Sequence, residues 1–190
     1  PESVDILVDA LDAYPHYADA TNGALAEKTG RKTLGQLVER FKDAEPKLRD
    51  NLKDAFTRMG PEGEQTMLEI LREEIASLAP VVSEVLEETG RVESLIRQLR
   101  HRDATARRDA AATLALIGTP QAFRGIVQAA RDPEQDVRVQ VSRALERLNS
   151  EDGQDILQQL QQDPDRRVRK YTQWALHGIE TKSAQAAARR

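Results

Sequence analysis

The chain has 190 residues, with 28 Lys and Arg against 32 Asp and Glu (net charge −4), 32% charged and only 4% aromatic residues. That balance excludes a collagen, a low-complexity chain and a basic protein that coats nucleic acid generally. The lack of cysteine excludes disulfides, thiol catalysis and Cys-ligated zinc, and no apolar run approaches the ~20 residues that cross a bilayer.

Taken from the N-terminus, Pro1 leads into neither a basic nor an apolar leader region, so no signal peptide is expected and a cytoplasmic location is. The absent initiator Met suggests a processed or excised piece of a longer protein. Glycines then recur at Gly30, Gly60, Gly90 and Gly118, and the same stride lands on Asn149 and Glu180. Gly and Asn are the usual residues just past a helix C-terminus, where φ turns positive. The period divides the chain into six repeats, 1–30, 31–60, 61–90, 91–118, 119–149 and 150–180.

Within each repeat the apolar residues mark two helices, A then B. The A stripe reads Leu7, Leu37, Met67, Leu95, Ile126, Leu157, flanked by Val8, Val38, Leu68, Ile96, Val127, Gln158. The B stripe has three columns four residues apart, which is one helix face. They are Ala18, Leu48, Leu78, Ala106, Val137, Val168; then Asn22, Leu52, Val82, Ala110, Val141, Thr172; then Ala26, Phe56, Leu86, Leu114, Leu145, Leu176.

The A–B break varies along the chain. The first repeat breaks at Tyr14-Pro15-His16-Tyr17, whose tyrosines are expected to pack there, and it places polar Asn22 in a core column. The second breaks at Asp43, with Pro46 beyond. The third, over Leu71 to Ala79, has only Pro80 to separate its helices. The fifth and sixth break at Asp132-Pro133 and Asp163-Pro164. Residues 181–190, ending Arg189-Arg190, are expected to be a frayed or disordered tail.

The stretches Asp132-Pro133-Glu134-Gln135-Asp136-Val137-Arg138 and Asp163-Pro164-Asp165-Arg166-Arg167-Val168-Arg169 resemble the HEAT repeat, in its short form of the phycobilisome-lyase type. Asp103 to Ala111 is a looser copy. The resemblance is strong over 92–180, moderate over 31–60 and weak elsewhere. It implies an all-α fold, a right-handed α-solenoid of about six two-helix repeats, one domain over 1–180, with A helices convex and B helices concave. It also implies a protein that binds other proteins, although such a motif specifies fold rather than chemistry.

Arg49, Arg107, Arg138 and Arg169 share one column. They are read either as a basic ladder for phosphate or carboxylate, or, with more weight, as structural partners of a turn residue such as Asp132 or Asp163 or of a helix-end carbonyl. The remaining B columns are expected to face the groove. They run Ala20, Asp50, Pro80, Arg108, Val139, Lys170; Ala24, Asp54, Glu84, Ala112, Arg143, Trp174; and Glu27, Thr57, Glu87, Ala115, Glu146, His177. Residues 1–91 hold 11 Lys and Arg against 19 Asp and Glu, net −8, and residues 92–190 hold 17 against 13, net +4. A bipolar groove follows, with Asp50, Asp54, Glu84 and Glu87 at one pole and Arg108, Arg143, Lys170 and Trp174 at the other. An ordinary solvated face follows equally. Trp174 is read as an interface anchor or as a cap over the last helix pair, and Tyr171 as partly buried beside Val168.

His16, His101 and His177 fall in different repeats, so no metal site is expected. Some HEAT-repeat hydroxylases hold di-iron through repeated His-Glu pairs, and this sequence has none. No phosphate-loop motif occurs. Glu73-Glu74 and Glu87-Glu88 are adjacent on a helix and so point apart. The expected function is a non-catalytic, cofactor-free scaffold that binds another protein through its B-helix face. Two alternatives rest on the resemblance: a nucleic-acid-binding module similar to HEAT-like DNA glycosylases, against which a pI of 5.5 argues, and an accessory chaperone similar to HEAT-type bilin lyases. Opposite charge at the two ends also permits head-to-tail self-association.

Overall fold

A computed structural model describes residues 2–73, 78–149 and 151–188. Among them the chain forms twelve α-helices and no strand, two helices to each repeat. The A helices are α1 (Glu2–Ala13), α3 (Arg31–Lys42), α5 (Gly60–Arg72), α7 (Arg91–Gln98), α9 (Pro120–Ala129) and α11 (Glu151–Leu160). The B helices are α2 (Ala18–Ala26), α4 (Pro46–Arg58), α6 (Ala79–Glu88), α8 (Ala104–Ile117), α10 (Gln135–Leu148) and α12 (Arg166–Ala188). A 3-10 turn, Pro15–Tyr17, joins α1 to α2.

Sequence signals for the breaks act as their chemistry requires. Pro46, Pro61, Pro80 and Pro120 sit in the first turn of their helices, where the missing N–H costs nothing. Asp103 and Thr119 cap α8 and α9 by accepting from the backbone N–H of Thr105 and Ala122. Gly60, Gly90, Gly118 and Asn149 all have positive φ. Two terminator positions differ. Gly30 is extended at φ −61 and opens α3, because α2 ends earlier, at Ala26. Glu180 lies inside α12: a glutamate takes positive φ only at a cost, and the alanine-rich sequence beyond it favours helix. The 181–188 segment, expected as a frayed tail, continues α12, while 189–190 lie outside the described residues, as does Glu74.

The central B column is buried throughout, from Asn22 through Leu52, Val82, Ala110 and Val141 to Thr172. Leu37, Met67, Leu95, Ile126 and Leu157 of the A stripe are buried with it. Each such leucine or isoleucine contributes about 1.5–3 kcal/mol through the apolar area it removes from water. The helices gather into two compact units, Pro1–Arg91 and Val92–Arg190.

In the first unit α2 packs on α4, α3 on α5 and α6, and α5 on α6. Phe41 and Phe56 meet edge to face there at 5.6 Å. Asn22 is 2% exposed; its amide donates to the Asn51 carbonyl and to Asp54, each at 3.0 Å, so this polar core position ties α2 to α4. In the second unit α10 lies between α8 and α12, with α9 and α11 packed beside it. Two groove expectations are corrected there. Val139 on α10 is buried because α10 is covered on both flanks and so has a wider buried face than an end helix, and Ala115 on α8 is buried in the same unit.

Candidate functional site

The arginine column is built from the turn outward. In each Asp-Pro turn the aspartate carboxylate accepts from the backbone N–H two residues on, Glu134 for Asp132 and Asp165 for Asp163, both at 2.9 Å. The same carboxylate takes a bidentate fork from the arginine of the preceding repeat. Arg107 donates to Asp132 through Nε at 2.7 Å and Nη2 at 2.8 Å, and Arg138 donates to Asp163 at 2.7 and 2.9 Å. The remaining nitrogen turns back on its own repeat. Nη1 of Arg107 donates to the carbonyls of His101 and Arg102, and Nη1 of Arg138 to those of Asp132 and Pro133.

The structural reading of this column therefore holds for Arg107 and Arg138, whose donors are committed inside the fold. Asp132 raises Arg107 above the ordinary arginine range, and Asp163 does the same for Arg138; burial opposes both. Burial alone would push Asp163 up, but Arg138 and the Asp165 N–H together hold it below the usual carboxylate range. Arg49 departs from the pattern: it lies over the Phe41 ring at 4.4 Å and donates to Glu84 at 3.0 Å.

The basic pole assembles in part. Arg143 on α10 stands over the Tyr171 ring at 4.5 Å, Tyr171 meets Trp174 edge to face at 5.1 Å, and Lys170 lies 4.6 Å from the Trp174 ring. One continuous aromatic and cationic surface results, with Trp174 53% exposed. Its linker, Tyr171, was not among the expected contact residues. Its signal is the three-residue spacing to Trp174, which puts both rings on one face of α12. Arg108 on α8 does not join them and pairs with its neighbour Asp109 at 2.9 Å.

The acidic pole is largely neutralised within its own unit. Lys53 bridges Asp50 at 3.0 Å and Glu88 at 3.1 Å, and the two carboxylates raise it. Asp54 is lowered, first by Arg58 at 2.9 Å and then, against burial, by Asn22. Glu84 takes Arg49. Only Glu87 of the four has no ionic partner among the described residues.

The histidines serve locally. His101 Nδ1 accepts the Asp103 N–H at 3.1 Å. His16 sits between Tyr14 and Tyr17, which stay 56% and 62% exposed rather than packing inward. Among the described residues no three His, Asp or Glu side chains gather as a metal ion would need, and no helix is long and apolar enough to cross a membrane.

Residues 92–187 match the protein family described as HEAT repeats. Among curated proteins nothing matches. Several solved structures are similar. Human deoxyhypusine hydroxylase in complex with glycerol is 17% identical, over 95% of this chain and 85% of that one, with a TM-score of 0.45. A designed armadillo repeat protein in complex with the peptide (KR)4 is 14% identical, over 91% and 98%, with a TM-score of 0.41. An engineered protein is 18% identical, over 94% and 97%, with a TM-score of 0.40.

Proposed function

The chain belongs to the HEAT repeat family, and on that premise we propose that it is a non-catalytic scaffold that binds another protein through exposed side chains of its B helices. One observation carries the reading. Trp174 is 53% exposed although Tyr171 and Lys170 hold its ring in place, so a large apolar surface is kept in water at fixed geometry. Rigid aromatic groups flanked by cations are the usual anchors of protein interfaces, because little side-chain entropy is lost when a partner covers them. Arg143, Lys170 and Trp174 form the anchor in this reading, and Arg108 stands apart from them on α8, paired with Asp109. The acidic carboxylates Asp50, Asp54, Glu84 and Glu87 contribute less than their number implies, since three of them already hold a cation.

The test is a pull-down from the native host's lysate with the parent chain and an Arg143→Glu, Trp174→Ala variant, both first matched for helicity and cooperative melting. A protein retained by the parent and lost at least tenfold in the variant is the expected result. Equal retention would move the surface away from α10 and α12, and co-purified nucleic acid or pigment without protein would overturn the reading.

A further inference from the structure

The A helices of the second unit carry positive charge that the fold does not use. Arg97 lies in the last turn of α7 and Arg100 just beyond it. One period on, Gln128 and Arg131 hold the same two places at the end of α9. All three arginines are exposed and form no ion pair among the described residues. The aspartates of the two turns are already spent inside the fold. Asp103 caps α8 by accepting the Thr105 N–H, and Asp132 holds Arg107.

A cleft adjoins this row. On α9, Gly125 has no side chain, and Ile96 of α7 seats against it, its Cγ1 2.7 Å from where a Cβ would stand. One period on, the counterparts are Ile156 on α11 and Val127 on α9. A side chain at 156 denies Val127 the seat that Gly125 gives Ile96. Val127 and Ile156 both stay half-buried, and with Leu160 they line a cavity of about 610 Å³. Arg131, Gln128 and Gln159 line it too. Its one carboxylate, Asp163, is committed to Arg138 and the Asp165 N–H. Arg131 is therefore the uncommitted charge of the cleft. An apolar lining with amides and a free guanidinium selects an aliphatic group next to a carboxylate.

We propose that this side of α7, α9 and α11 is a docking surface for an acidic segment of another protein. One aliphatic side chain of the segment enters the cleft between α9 and α11, and its flanking carboxylates pair with Arg131 and with Arg97 and Arg100. The cleft decides between an acidic protein and a nucleic acid, because a phosphate backbone has no aliphatic group to fill it. The surface goes beyond the one assigned above, since Arg143, Lys170 and Trp174 take no part in it.

The probe is the blocked peptide Glu-Glu-Leu-Glu-Gly, titrated into the full chain while the methyl signals of Val127 and Ile156 are followed by NMR. Both signals are expected to move. Glutamine in place of the glutamates should weaken binding about tenfold. Alanine in place of the leucine should do the same, since each buried methylene is worth up to about fourfold. Arg131→Gln should weaken the parent peptide about fivefold. Arg143→Glu should change nothing, so a failure here leaves the B-helix reading standing and a failed pull-down leaves this one. Unmoved methyl signals, equal binding by the glutamine or the alanine peptide, or an oligothymidylate that binds as tightly and is weakened by Arg131→Gln would each overturn the proposal. Concentration-dependent sedimentation of the parent alone that Arg131→Gln abolishes would assign the surface to a second copy and overturn it too.

Discussion

At the scale of single residues, the pair with most at stake is Arg138 with Asp163, whose side chains are 12% and 5% exposed. Truncating Arg138 to alanine would leave a buried carboxylate with only the Asp165 N–H as a hydrogen-bond donor, and the carbonyls of Asp132 and Pro133 without theirs. The expected cost is about 3 kcal/mol, the low end of what breaking a buried pair costs, read as a lower urea midpoint at unchanged m-value. Arg138→Lys should recover only part of it, because an ammonium cannot serve both the fork and the carbonyls. Asp163 also fixes a sign in pH. Its folded value lies below the ordinary 3.8, so its contribution is present above that value and disappears as pH falls through the lower folded one. Urea midpoints measured from pH 5 downward are expected to fall more steeply for the parent than for Asp163→Asn. These pairs are legible in the sequence because Arg and Asp-Pro recur together. Their direction is not: Arg138 stands six residues after Asp132 and 25 before Asp163, and it takes a carbonyl from the first and the carboxylate from the second.

At the scale of helices, the central B column is buried in every repeat, and the positive-φ terminators hold at four of six positions. The misplaced Val139 has a different cause. A column assigns one face to all repeats alike, whereas burial depends on what flanks each helix, and α10 is covered on both sides. Glycines inside helices show the same dependence. A Cβ on Gly125 would stand 2.7 Å from Ile96 Cγ1 and 3.4 Å from Leu114 Cδ1. Gly125→Ala should therefore destabilise by about 1–2 kcal/mol, overpacking outweighing the gain in helix propensity. Gly23, in the middle of α2, has nothing within 4 Å of such an atom. Gly23→Ala should stabilise by about 0.5–1 kcal/mol. Thermal melts of the two variants beside the parent check the opposite signs; a shared sign would mean that propensity or packing alone decides.

At the scale of the whole chain, the charge tally read from sequence is correct and its functional implication is weak. The net −8 of residues 1–91 counts carboxylates one by one, yet Lys53, Arg58 and Arg49 engage Asp50, Asp54 and Glu84. In the basic half Lys170 lies on α12 beside Trp174, and there aromatic spacing rather than charge count marks the surface. The two compact units also differ in what holds them. Each unit contains three repeats, the number at which a stacked core becomes self-sufficient, but only the unit from Val92 holds the two buried Arg–Asp forks. The ion pairs of the first unit lie at or near its surface, where each is worth about 0–1 kcal/mol, and its apolar core buries an Asn22 whose Oδ1 has no partner among the described residues. A fragment of residues 92–190 is therefore expected to fold alone, with a cooperative melt and helical circular dichroism. A fragment of residues 1–91 should melt at lower temperature under the same conditions. A non-cooperative 92–190 fragment would mean that its apolar columns and forks do not suffice without the preceding repeats, and the stability assigned to Arg138 and Asp163 would then have to be measured only in the full chain.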